Sequence, residues 1–108
     1  MEADRRGRRS RELHRAIAAK LMAHPEEVLA AARAQLARLR ENPRTRYYAE
    51  EWARWLDRPV ADIYGLLAED DSDYADAMRH TAPFAGVLTP SERWEIYQRY
   101  ALEGGDRA

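Results

Sequence analysis

The residues that could act on a substrate are three histidines, three serines and a few adjacent carboxylates. His14, His24 and His80 lie far apart, and no two share a helix face at i, i+4, so the spacing that holds a metal in H-E-x-x-H is absent. Ser10, Ser72 and Ser91 stand where helix caps or first-turn residues belong, without the strand–turn–helix elbow of a serine nucleophile. The glycines are scattered and form no phosphate-cradling loop. Glu26/Glu27, Glu50/Glu51 and Asp70/Asp71 are sequence neighbours, and neighbours on a helix point in different directions. The expectation is a protein with no catalytic residue, no metal, no cofactor and no small-molecule substrate. With no cysteine, disulfides and thiolate metal sites are excluded, and a reducing cytoplasm is the expected setting. No apolar run approaches the ~20 residues that span a bilayer, so no membrane association is expected.

Binding chemistry is better represented. Residues 1–46 carry 12 basic and 6 acidic side chains, a net of +6, whereas residues 47–108 carry 6 and 13, a net of −7. Arg5, Arg6, Arg8, Arg9 and Arg11 concentrate the positive charge at the N-terminus, where clustered arginines would displace counterions from nucleic-acid phosphates. Arg33, Arg40 and Arg44 follow at i, i+7, i+11, a column on one helix face. That column meets either phosphates or carboxylates of the same chain, with the acidic stretch Glu69–Asp76 as the internal candidate.

Aromatic residues offer a second mode of binding. In Thr81–Tyr100, TAPFAGVLTPSERWEIYQRY, a turn-rich segment carries Phe84, Val87 and Leu88, too apolar for a solvated loop. Thr89-Pro90-Ser91-Glu92 then forms a capping box with proline at the first helical position. In the helix that follows, Trp94, Ile96, Tyr97, Tyr100 and Ala101 cover an arc of about 160°, wider than the ~100° a single core contact needs. Phe84 and Leu88 are expected to close the core and, with Trp94, Tyr97 and Tyr100, to contribute to a protein-binding surface.

The elements that must position these groups are helical. Alanine occurs 20 times against 9 for valine, isoleucine and threonine together, and no stretch alternates as a strand would. Residues 1–9 lack apolar periodicity and are expected to be a disordered basic arm. Ser10 would cap a first helix to Ala23, with Leu13, Ile17 and Leu21 at i, i+4, i+8. Pro25 opens a second to Glu41, whose apolar stripe is Val28, Leu29, Ala32, Leu36 and Leu39. Tyr48, Trp52 and Trp55 share a face of a third, Arg46–Leu56. Pro59–Ala68, a short helix capped by Asp71 or Ser72 and ending at His80, and Pro90–Leu102 complete the set. Residues 104–108 would form a flexible tail. The fold expected is all-α, one small domain (10–103) built as an irregular bundle of five to six short helices.

Three stretches together resemble a group of small helical actinobacterial antitoxin-like proteins. They are ELHRAIAAKLMAHPEEVLAAARAQLARLR (Glu12–Arg40), the middle with Trp52 and Trp55, and PFAGVLTPSERW (Pro83–Trp94), the most specific of the three. The resemblance covers about residues 11–100, and the acidic Glu69–Asp76 segment departs from the group's pattern. It implies a non-enzymatic protein that occludes a toxin encoded nearby through an aromatic helical surface and acidic patches. The alternative is a DNA-binding transcriptional regulator using the basic N-terminal arm and the Arg33/Arg40/Arg44 column.

Overall fold

A computed structural model describes the backbone of residues 2–105 and the side chains of residues 8–99. Six helices make up the described chain: α1 (Glu2–Ala23), α2 (Pro25–Glu41), α3 (Arg46–Leu56), α4 (Val60–Ala68), α5 (Asp73–His80) and α6 (Pro90–Gly105). The chain is a small all-α domain, with no strand among the described residues. Among the described residues no helix is long and apolar enough to cross a membrane.

Helix α1 is the element on which the others assemble. It packs most extensively on α4 and also meets α2 and α6, while α2 and α3 form a second pair. Leu21, Trp52, Leu56, Ile63, Leu67 and Met78 are fully buried at the junction of these helices. The indole of Trp52 meets the ring of Phe84 edge-on at 5.4 Å between centroids. Its Nε1 donates to the Met78 carbonyl at 2.9 Å, so this ring enters the core with its polar edge satisfied.

The breaks fall where local chemistry demands them. His24, ahead of Pro25, leaves the helical region at φ −137° and ψ 64°, and a single residue joins α1 to α2. Asn42 ends α2 in an extended conformation, and the Thr45 hydroxyl donates to the exposed Leu39 carbonyl at 2.6 Å. Ser72 caps α5 by accepting the Ala75 N–H at 3.1 Å. The capping box of α6 is complete. Thr89 N–H donates to the Glu92 carboxylate at 2.7 Å, and Glu92 N–H donates to the Thr89 hydroxyl at 3.1 Å.

Two boundaries differ from the sequence expectation. Helix α1 begins at Glu2, so residues 2–9 continue the helix rather than forming a disordered arm, and Ser10 is an interior residue. The Ser10 carbonyl faces His14 Nδ1 at 2.8 Å, as an interior turn requires. Arginine and glutamate are good helix formers, and a helix already nucleated on the core extends one residue at a time at little cost. Helix α6 likewise runs to Gly105, past the expected end at Leu102.

Between α5 and α6, residues 81–89 are held from outside their own segment. Gln35 of α2 accepts the Ala85 N–H at 2.9 Å, and Lys20 of α1 donates to the Val87 carbonyl at 2.9 Å. Gly86 sits at φ +85°, a conformation any side chain would strain. Phe84 and Leu88 are anchored below, 3% and 6% exposed.

Candidate interaction surface

Helix α6 lies antiparallel on α1. Early in α1, the Arg9 guanidinium stands 5.1 Å from the centre of the Tyr97 ring. Late in α1, Lys20 pairs at 2.8 Å with Glu92, at the start of α6. The Lys20 hydrogen bond and the Thr89 N–H hold the Glu92 carboxyl below the usual carboxylate range. Ile96 faces inward and is buried, while Trp94 is 60% exposed and Tyr97 37% exposed. Only part of the wide α6 arc therefore serves the core. Neither the Trp94 indole N–H nor the Tyr97 hydroxyl has a hydrogen-bond partner among the described residues.

Phe84 and Leu88, expected to serve both the core and a partner, are buried in the core, and what little surface they keep borders a hollow between α1 and the 81–89 loop. Tyr100 lies outside the residues whose side chains are described, as do Arg5 and Arg6. Trp94 and Tyr97 remain from the expected aromatic surface, with Arg8 and Arg9 exposed on the adjoining helix.

The remaining arginines are largely engaged within the chain. Arg33 donates to the Leu56 carbonyl at 3.0 Å and to Asp57 at 3.1 Å, and Arg40 lies 3.8 Å from Glu50. Arg33 and Arg40 of the column thus face α3, where carboxylates and the carbonyl end of a helix dipole attract them, rather than Glu69–Asp76. Arg44 offers only its backbone N–H, to the Asn42 side chain at 2.9 Å. The acidic segment is met by Arg11, which pairs with Asp71 and donates to the Ala68 carbonyl at 3.1 Å. The Arg11 hydrogen bond and charge hold the Asp71 carboxyl low, and the Ser72 backbone N–H does the same for Asp70.

Two features escaped the sequence. Arg79 is 5% exposed and donates from Nη1 to the carbonyls of Leu66 at 2.9 Å and Asp70 at 2.7 Å, closing the C-terminus of α4. Its signal is position: Arg79 falls at i+4 from Ala75 and beside Met78, on the apolar face of α5. Burial pushes its pKa down, yet a guanidinium remains charged at any ordinary pH. The second is a chain of side chains between α3 and α5. Trp55 Nε1 donates to the Tyr74 hydroxyl at 2.8 Å, and that hydroxyl donates to Glu51 at 2.8 Å. Arg58 lies over the Trp55 ring at 4.4 Å.

His14 is held between α1 and α5, with the Ser10 carbonyl at one ring nitrogen and the Arg79 carbonyl 3.0 Å from the other. Burial lowers its pKa and outweighs the two carbonyls, which favour the charged ring; Arg79 and His80 push the same way as burial. Among the described residues no three His, Cys, Asp or Glu side chains converge as a metal site would require. No family model, curated protein or solved structure matches the chain.

Proposed function

We propose that this is a non-enzymatic, cytoplasmic binding protein of the antitoxin kind, which covers a partner toxin enzyme with the outer face of α6 and the adjoining turns of α1. The observation that carries the reading is Trp94, 60% exposed on a well-capped helix. An indole with its apolar faces and its N–H both left to water is the kind of side chain that dominates protein interfaces. Tyr97 and Arg9 extend the patch with the other two residue types enriched at such interfaces. The resemblance of PFAGVLTPSERW supplies the toxin as the class of partner.

The test is co-expression with the product of the neighbouring reading frame, followed by capture on the tagged chain. Trp94→Ala and Tyr97→Ala should each release the partner while leaving the helical signal and melting temperature unchanged. Undiminished capture by both variants would remove this face from the interaction.

A DNA-binding regulator is the second reading, and it rests on Arg8 and Arg9, exposed on α1. Arg33, Arg40 and Arg11 have carboxylate or carbonyl partners inside the chain, so the phosphate-contacting candidates are Arg44 and the basic first turns of α1. Affinity for duplex DNA should then fall steeply with salt and weaken uniformly across sequences in an Arg8→Gln/Arg9→Gln chain. A salt-insensitive interaction, or none, would set this reading aside.

A further inference from the structure

Beside the Trp94–Tyr97 face, α1, the end of α5, the 81–89 loop and Arg93 of α6 border an open cavity of about 210 Å³. Its walls are apolar, from Leu13 and Ile17 of α1 and from Phe84 and Leu88 of the loop. Its charged lining is of one sign, since Arg79 and Arg93 border it and no aspartate or glutamate does. The carboxylates that act on Arg79, those of Asp76, Asp70 and Asp71, do not line it. Arg93 is exposed, and its guanidinium has no ion-pair or hydrogen-bond partner among the described residues. A second cavity, of about 410 Å³ on the α2 side of the same loop, differs in both respects. Glu27 borders it, and its Lys20 is already occupied by Glu92 and the Val87 carbonyl.

An apolar hollow with a cationic border selects an apolar group that carries a carboxylate. The size chooses between a free acid and a protein segment. Pockets for whole small molecules usually measure ~300–1,000 Å³, whereas a hollow near 150 Å³ already admits one benzene-sized group. The cavity therefore fits one large side chain. It also continues the face described above, because Arg93 stands one helical turn before Tyr97, at i, i+4. We infer that this cavity is the anchor pocket of the partner interface: it receives one leucine- or phenylalanine-sized side chain of the partner, while Arg93 pairs with an aspartate or glutamate beside that anchor. The inference rests on the proposed α1/α6 interface and specifies the partner sequence that interface takes.

The test follows the methyl resonances of Leu13, Ile17 and Leu88 in the full chain as probes are added. The probes are 4-methylvalerate, its neutral amide, and the capped dipeptide acetyl-Leu-Asp-amide. The acid and the dipeptide should both shift these methyls with millimolar affinity. Arg93→Gln, an exposed substitution that spares the core, should weaken both about fivefold, and the neutral amide should bind about as poorly. Equal shifts from acid and amide, or shifts indifferent to Arg93→Gln, would remove the cation from recognition and overturn the inference. Binding of 4-methylvalerate without the dipeptide would assign the pocket to a free acid and overturn it equally, as would methyls that no probe moves. Trp94→Ala should leave these titrations unchanged while abolishing capture of the partner. A failed pocket is thus read separately from a failed interface.

Discussion

The outer surface of α3 and α5 and the outer surface of α6 both expose aromatic rings, but only on the first is the tryptophan N–H bonded to a neighbour. On α3 and α5, Tyr47 is 64% and Tyr74 42% exposed, comparable with Trp94. There, however, the Trp55 indole N–H and the Tyr74 hydroxyl are bonded to neighbours, whereas the Tyr47 hydroxyl has no hydrogen-bond partner among the described residues. Tyr47 meets Tyr48 edge-on at 5.0 Å, Trp55 donates to Tyr74, Tyr74 donates to Glu51, and Arg54 pairs with the same carboxylate. On α6, the Trp94 N–H and the Tyr97 hydroxyl have no such partners. Exposure alone does not mark an interface; an exposed indole with its N–H unused is the stronger sign, because a partner can add a bond there without breaking any. The three tryptophans grade this contrast: Trp52 is buried and bonded, Trp55 half-buried and bonded, and Trp94 exposed without a bond.

The largest effect should come from the buried end of that series. Trp52→Ala should destabilise the fold by about 3–5 kcal/mol, through lost burial and a residual cavity against Phe84. Chemical denaturation checks this, and for a domain of this size the variant should be partly unfolded at room temperature. A loss below about 1 kcal/mol would mean that Trp52 does not organise the core.

Next comes Arg79→Met, which keeps the chain length and apolar stem but strips the C-terminus of α4 of this donor. The Leu66 and Asp70 carbonyls would each lose their guanidinium donor, leaving Arg11 on the Ala68 carbonyl as the cation at the end of α4, at a cost of about 2–3 kcal/mol. Hydrogen exchange should report the loss first at the end of α4. An unchanged melting temperature would show that water substitutes freely for the guanidinium.

These two residues also mark what the sequence does and does not make legible. Helix positions, breaks and caps follow from proline, serine and threonine placement and from apolar periodicity, which act within a few residues. Trp52 is recognisable as core because it lies on such a stripe, and the Thr89–Glu92 capping box is purely local. Arg79 and the Arg11–Asp71 pair depend instead on where α4 ends relative to α1 and α5, a long-range fact without periodicity. The same holds for the Arg33/Arg40 column. Its spacing reveals a shared helix face, but only the α2–α3 pairing shows that the face is turned toward Asp57 and Glu50. The surface tryptophan was visible as excess apolar arc, although Phe84 and Leu88 had to be separated from it by burial.

Tyr74→Phe tests the bonded surface itself. Removing the hydroxyl deprives Trp55 and Glu51 of one partner each on a solvent-accessible face, so the expected loss is about 0.5–1 kcal/mol. Capture of a partner should be unaffected. Capture lost in this variant, with the fold intact, would transfer the interface to α3 and α5 and reverse the comparison.

Acid should act on the α1 side of the molecule first. His14 has a folded pKa below its ordinary 6.5, so the unfolded chain takes up its proton first as pH falls. Its contribution is fully present above 6.5 and is lost as pH drops through the folded value. The carboxyls of Asp70, Asp71 and Glu92, also held low, lose theirs only below the ordinary carboxylate range. A plot of stability against pH should therefore decline in two stages, and His14→Gln should remove the upper one alone. An upper decline that survives His14→Gln would assign it to another group.

The smallest effect on stability is the most informative about function. Trp94→Ala removes a large ring, yet that ring is mostly in water and bonds to nothing, so the fold should lose no more than about 0.5 kcal/mol. Trp55→Ala should cost more than this, because Trp55 is half-buried, bonded to Tyr74 and stacked beneath Arg58. If the two substitutions prove equally harmless, hydrogen-bond satisfaction is no guide to which surface takes a partner, and Trp94 loses its special standing. If Trp94→Ala instead unfolds the domain, the ring belongs to the core and no face of α6 is left for a partner. A neutral Trp94→Ala beside a costly Trp55→Ala is the pattern required of a residue retained for a contact outside its own chain.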